Sequence, residues 1–291
     1  MVQSALERNE PALSRIQTLW HDSEMTTASW QNPVRARLAS GEPVLAVTIT
    51  TNSVETAALA ATLGFDFLWV EMEHSPITLE TLRTMVLATR GLPATVFARV
   101  PVVELWTAKR VLDQGVTGVI FPFTSSPELA KRAAQACRYP PAGLRGSGAG
   151  LATACWPEPG SYYESADSNI IVMTVIEEAC AVERIDEIAG TPGVDVLFIG
   201  TSDLSFSLGL RGRQDEPLLQ QYIDRVVAAA KKHKKYLGRP AGSAEQVRKF
   251  QTEGFQLFQC TTELNLFRAG AQQLLEPLGI TGIPDTHRSL Y

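Results

Sequence analysis

Short apolar runs alternate along the chain with longer stretches of helical periodicity. The runs at 44–49, 66–70, 95–99, 116–122, 170–176, 194–199, 236–239 and 255–260 are rich in Val, Ile, Leu and Phe and end at charged residues, glycine or proline. Continuous apolar runs of this length read as strands covered on both faces, as parallel strands are. Residues 54–63, 79–90, 104–114, 127–137, 180–189, 218–234, 244–253 and 264–275 read as helices, after a short first helix at 34–39 stopped by Gly41. Ser126 before Pro127 shows the local chemistry, an N-cap hydroxyl followed by a proline in the first turn. Eight strands, each followed by a helix over roughly 250 residues, predict an α/β fold of the (β/α)8 TIM-barrel type. A doubly wound open sheet is the runner-up.

In a parallel sheet the carboxyl ends of all strands lie on one face, where α/β folds carry their chemistry. Glu177 directly ends the run at 170–176, and Asp203 follows the run at 194–199 after a Gly200-Thr201-Ser202 turn. Two carboxylates at neighbouring strand ends point to one bound cation. Asp203 is also suited to cap the helix that follows it, so cap and ligand are equally open on sequence alone. The second strand runs into Glu71-Met72-Glu73-His74, and the third ends at Arg99. A cation, an imidazole and a guanidinium around one cavity suit enolate chemistry: the metal and Arg99 stabilise charge on an oxygen while His74 moves protons. The bland alternatives are a loop-bridging His74 and an Arg99 that merely neutralises Glu71 or Glu73. One connection, residues 139–169, is much longer than the rest, and such a gap usually forms a lid or binding loop. Its glycines and Arg145 suit a loop closing over a carboxylate substrate. The GLRGSGAG run does not join a strand to a helix, which argues against a dinucleotide site.

Composition narrows the class further. The chain has 291 residues, 45% of them hydrophobic, and a formal net charge of −5, enough for a large core and the wrong sign for a dedicated nucleic-acid binder. The basic run at 231–235 falls at a helix end, where it complements the helix dipole and stays solvated. Cys137, Cys155, Cys180 and Cys260 show no CxxC spacing and read as buried thiols of a reducing compartment. Neither a membrane-span-length apolar stretch nor a signal-peptide core is present, so a cytoplasmic location is expected. Residues 1–32 read as an N-terminal extension, 33–280 as the barrel and 281–291 as a C-terminal tail.

The segments FDFLWVEMEHSPITLETL, FARVP, GVTGVIFPF through RYPPAGLRGSG, VIE and GVDVLFIGTSDLSFSLG, in this order, resemble the HpcH/HpaI aldolase family of metal-dependent class II pyruvate aldolases. The likeness runs over residues 33 to 277. It implies a barrel of the phosphoenolpyruvate/pyruvate type whose last helix is exchanged between the subunits of a dimer or hexamer. It also implies Glu177 and Asp203 as ligands of Mg²⁺, Mn²⁺ or Co²⁺, Arg99 as the enolate-stabilising group, His74 as the base and Glu71 as the residue orienting it. Ser202 and Asp203, through their backbone N–H groups, and Pro122 are implied on the substrate. The implied reaction is reversible cleavage of a 4-hydroxy-2-oxo acid to pyruvate and an aldehyde. Alternatives on the same site are decarboxylation of oxaloacetate with capture of the enolate, and a non-catalytic barrel that only binds a keto acid; citrate-lyase-like cleavage of an acyl-CoA ester lacks a basic cluster for the CoA phosphates. Three positions depart from the family pattern: Glu71 for an aspartate, Val175 for a glutamine and Thr48 for a tryptophan.

Overall fold

The computed structural model describes residues 30–156 and 162–280. The predicted extension, up to residue 29, and the tail from residue 281 lie outside the described residues. The described residues from Gln31 on form one compact unit. Helix α1 (Pro33–Ser40) comes first, and the alternation then runs β1 (Val44–Ile49), α2 (Val54–Ala60), β2 (Phe67–Glu71), α3 (Leu79–Thr89), β3 (Thr95–Arg99), α4 (Leu105–Leu112), β4 (Gly118–Phe121) and α5 (Pro127–Ala136). The second half contains α6 (Ala152–Cys155), α7 (Tyr162–Asn169), β5 (Ile171–Ile176), α8 (Ala179–Glu183), α9 (Ile185–Ala189), β6 (Val196–Ile199) and α10 (Thr201–Ser207). It ends with α11 (Pro217–His233), β7 (Tyr236–Pro240), α12 (Ala244–Thr252), β8 (Leu257–Thr262) and α13 (Glu263–Leu275). All eight strands are parallel and pair in sequence order, with β1 also pairing β8, so the sheet closes into a barrel and the open-sheet alternative falls.

The expected elements are present, with shifts at their ends. The single helix expected at 180–189 is two short ones, because Arg184 between them has φ −108° and ψ 21°. Two short helices within the long connection, α6 and α7, were not legible, and the helix expected after Asp203 begins earlier, as α10 at Thr201. Cys180 is exposed rather than buried, Cys155 and Cys260 are half-buried, and all four thiols are free. Within the basic run, Lys235 is drawn in to donate to the carbonyls of Thr191 and Val194 at 3.0 and 2.8 Å, while Lys232 and His233 pair with Asp186. Among the described residues no helix is long and apolar enough to cross a membrane.

Strand alternation sorts the core into two layers. Phe67, Trp69, Phe97, Ile120, Met173, Val175, Phe198 and Leu257 fill the barrel interior, whereas Ile176, Leu197 and Ile199 face outward against Val182, Ile185, Ile188, Ile223 and Val226 of the helices. Val34 and Leu38 of α1 join the interior cluster and close the barrel's amino-terminal end. Asn32 anchors that plug: its side chain donates to the Thr117 and Asn169 carbonyls at 3.0 and 2.9 Å and accepts the Val34 N–H at 3.0 Å.

Inside the barrel two of the large rings are each accommodated by a glycine on the adjacent strand. Phe97 is in register with Gly118 and Phe198 with Gly238. A Cβ on either glycine would lie 2.6 Å from the ring it faces. The Gly118→Val variant is therefore expected to lose about 1–3 kcal/mol or more of unfolding free energy by overpacking, read as a lower urea midpoint. Adding Phe97→Leu should restore part of the loss, because the two positions share one space. A midpoint unchanged in Gly118→Val would contradict this packing.

Candidate active site

The carboxyl ends of the strands surround a cavity of about 730 Å³ bordered by His74, Arg99, Glu177, Ser202 and Asp203 among others. Five of the eight residues expected at the site thus meet in one place. Glu71, Pro122 and Arg145 do not border it.

Glu71 and Arg99 are register partners at the tips of β2 and β3. Glu71 is fully buried, and its Oε2 takes both Nε and Nη2 of Arg99 at 2.5 Å. Its Oε1 accepts the backbone N–H groups of Glu73 and His74 at 2.8 and 3.1 Å. Glu71 therefore holds the guanidinium and the main chain of the His74 loop. Glu71 thus orients His74 through its main chain, and the side chain that approaches the imidazole is that of Glu73, whose Oε2 is 3.5 Å from His74 Nε2 and 3.3 Å from Arg99 Nε. Glu73, expected only as a partner for Arg99, thus meets both the guanidinium and the imidazole. Trp69 lies under the guanidinium, 5.7 Å from ring centroid to Cζ, and meets Phe198 edge-on at 5.0 Å.

Glu177 is buried at the end of β5 and accepts the Phe123 N–H on Oε1 at 2.6 Å. Phe123 reaches that position at φ +43°, a left-handed conformation that costs a non-glycine residue about 1–2 kcal/mol. Pro122, buried just before it, acts on this turn rather than on the cavity. Gly200 is the other constraint: a Cβ there would stand 2.8 Å from Glu177 Oε2. Burial pushes the Glu177 carboxyl up to about 7, and the charges of Asp203 and Glu73 add to the rise against the pull of the Phe123 N–H and Arg99. Glu73 is raised by burial as well, with Arg99 and His74 opposing. Asp203 lies in the first turn of α10 and makes no capping bond; Gly200 occupies the N-cap position, so the cap reading of Asp203 fails.

Glu177 and Asp203 fit a hard divalent cation. Their oxygens are the right donors, their mutual repulsion is what such an ion relieves, and Gly200 leaves Glu177 Oε2 approachable. Among the described residues no third His, Cys, Asp or Glu completes a ligand set. A two-carboxylate site leaves its remaining positions to substrate and water.

Arg145 corrects the reading of the long connection. That segment leaves the C-terminal end of α5 and enters the N-terminal end of β5, so it lies at the barrel end opposite the cavity. Arg145 is fully buried there, bonded to Tyr162 Oη at 2.9 Å and Asp113 at 3.0 Å, with the Tyr139 ring 4.7 Å from its Cζ. Of the glycines in this connection Gly143 serves packing: a Cβ there would lie 2.4 Å from the Arg138 carbonyl.

Three comparisons agree with this architecture. The family profile described as HpcH/HpaI aldolase/citrate lyase matches residues 48–269. The 5-keto-4-deoxy-D-glucarate aldolase of Salmonella arizonae is 32% identical over 252 residues, 87% of this chain and 98% of that one. A crystal structure of an HpcH/HpaI aldolase/citrate lyase family protein from Burkholderia cenocepacia superposes with TM-score 0.80 at 31% identity, covering 86% of this chain and all of that one. A citrate synthase structure reaches TM-score 0.76 at 26% identity, covering 86% and 98%. The chain belongs to the HpcH/HpaI aldolase/citrate lyase family of metal-dependent carbon–carbon lyases.

Proposed function

We propose that the chain reversibly cleaves a 4-hydroxy-2-oxo acid to pyruvate and an aldehyde. The observation that carries this is the convergence of Glu177, Asp203, Arg99 and His74 on one cavity. Glu177 and Asp203 would hold Mg²⁺, Mn²⁺ or Co²⁺, which when bound supplies Lewis-acid polarisation of the 2-oxo acid. Arg99, fixed by Glu71 and Glu73, offers positive charge where the C2 oxygen becomes an enolate. His74, at the exposed edge beside Glu73, takes the proton of the C4 hydroxyl. The C3–C4 bond then breaks, its electron pair passes to the enolate, the aldehyde leaves and C3 is protonated to give pyruvate. The backbone N–H groups of Ser202 and Asp203, in a first turn that a helix leaves unpaired, would hold the substrate carboxylate.

A second reading is decarboxylation of oxaloacetate with capture of the same enolate. Its support is the likeness to a citrate synthase at 26% identity. Subunit pairing through the last helix is also part of the proposal: Phe267 and Leu274 of α13 are 80% and 70% exposed, and Leu59 and Leu63 at the end of α2 are open beside them.

Proton NMR in D₂O should show exchange of the pyruvate methyl protons with Mg²⁺ or Mn²⁺, abolished by a chelator and by Asp203→Ala, and Arg99→Ala should slow turnover by about 10²–10³-fold. No exchange with any divalent ion would remove the pyruvate reading, while oxaloacetate-dependent CO₂ release without aldol turnover would establish the second one. Because the Glu177 carboxyl sits near 7 and must lose its proton to bind a metal, the gain in Tm on adding Mn²⁺ should grow from pH 5.5 to pH 8. The sign reverses without metal. A carboxyl whose folded pKa exceeds its unfolded value of 4.5 contributes stability that is full below that value and is lost as pH rises through about 7. A pH-independent Tm gain would contradict the assignment of Glu177 as ligand. Phe267→Glu should elute as a smaller species than the parent in size-exclusion chromatography; unchanged elution would remove α13 from the interface.

A further inference from the structure

At about 30 Å³ per water-sized group, a cavity of about 730 Å³ holds some two dozen such groups, several times the six non-hydrogen atoms of pyruvate. The cavity therefore has room for a second substrate beside pyruvate and a metal ion. The side away from Glu177 and Arg99 is built by β7, β8 and the start of α13, and its polar groups include Gln259, Thr261 and Asn265, with Gln214 nearby from the segment before α11. A bulge makes this wall. The β1–β8 register passes from Ala46–Gln259 to Val47–Thr261, leaving Cys260 as an extra residue, and all four residues from 259 to 262 border the cavity where simple alternation would offer every second one.

Gln259 is also held in place, its Nε2 donating to Thr48 Oγ1 at 2.8 Å within the barrel. That bond uses one of the amide's two N–H groups and leaves its oxygen as an acceptor. The groups on this wall are amides and hydroxyls, neutral and able both to give and to accept. Arg99 is the one Lys or Arg among the described residues that borders the cavity, and Glu71 and Glu73 already engage it. On the opposite side a divalent ion would balance Glu177 and Asp203, and Glu71 and Glu73 outweigh the single charge of Arg99. A second carboxylate on the aldehyde would find no uncommitted positive charge on either side, whereas a hydroxyl suits the amides and hydroxyls of the wall.

We infer that the β7–β8 side of the mouth is the aldehyde subsite and that it takes an uncharged, hydroxylated aldehyde in preference to one bearing a carboxylate. This rests on the pyruvate-aldolase reading, and the test separates the two. With the full-length protein and Mn²⁺, pyruvate methyl exchange is measured without any aldehyde, and its absence sinks the underlying reading. Aldol addition of pyruvate is then compared for glyceraldehyde and glycolaldehyde against succinic semialdehyde and glyoxylate. The kcat/KM for the neutral pair should exceed that for the acidic pair by about tenfold or more, and Asn265→Arg and, independently, Thr261→Arg should each shift the ratio about tenfold toward the acids. Exchange together with equal or better use of the acidic aldehydes, with turnover of neither class, or with a ratio moved by neither variant overturns the inference.

Discussion

A guanidinium locked between two carboxylates at the tips of adjacent strands is the constraint on which the site depends. Burying Glu71 with Arg99 removes two charges from water, and such a pair persists only when its remaining hydrogen-bonding capacity is met. Glu71 meets it fully, with one oxygen on Arg99 and the other on the main chain of Glu73 and His74. The same carboxylate therefore places both the guanidinium and the loop that carries His74. Trp69 beneath and Glu73 beside the guanidinium leave it one direction in which to act, towards the cavity.

Much of this was legible before any coordinates. Parallel strands buried on both faces leave long apolar runs, and residues that directly follow such runs inherit the carboxyl-end face, so Arg99, Glu177 and Asp203 could be placed together from spacing alone. The errors have a common cause. Arg145 was read from its neighbours in sequence, glycines and prolines, whereas its role depends on which end of the barrel its connection spans. Glu71 and Glu73 are two residues apart, and only the path of the chain after β2 decides which touches the imidazole. The positive φ of Phe123 and the bulge at Cys260 leave no mark that composition or period would reveal.

Glycine does unlike things in the two halves of the barrel axis. Gly118 and Gly238 make room for rings and serve density. Gly200 makes room for a carboxylate oxygen and serves charge, since a side chain there would press on Glu177 where that oxygen must stay open. The strained Phe123 turn belongs with it, because an N–H is aimed at Glu177 at the expense of local backbone comfort.

The closing of the far end by α1 and by the buried Arg145–Asp113–Tyr162 cluster divides the molecule by task. Residues that keep the barrel shut are gathered at one pole, and residues that border the cavity at the other. If the aldehyde binds along β7 and β8 as proposed, a population of variants can drift in substrate choice there without trading away the fold, and can gain or lose thermal tolerance at the plug without altering what is cleaved.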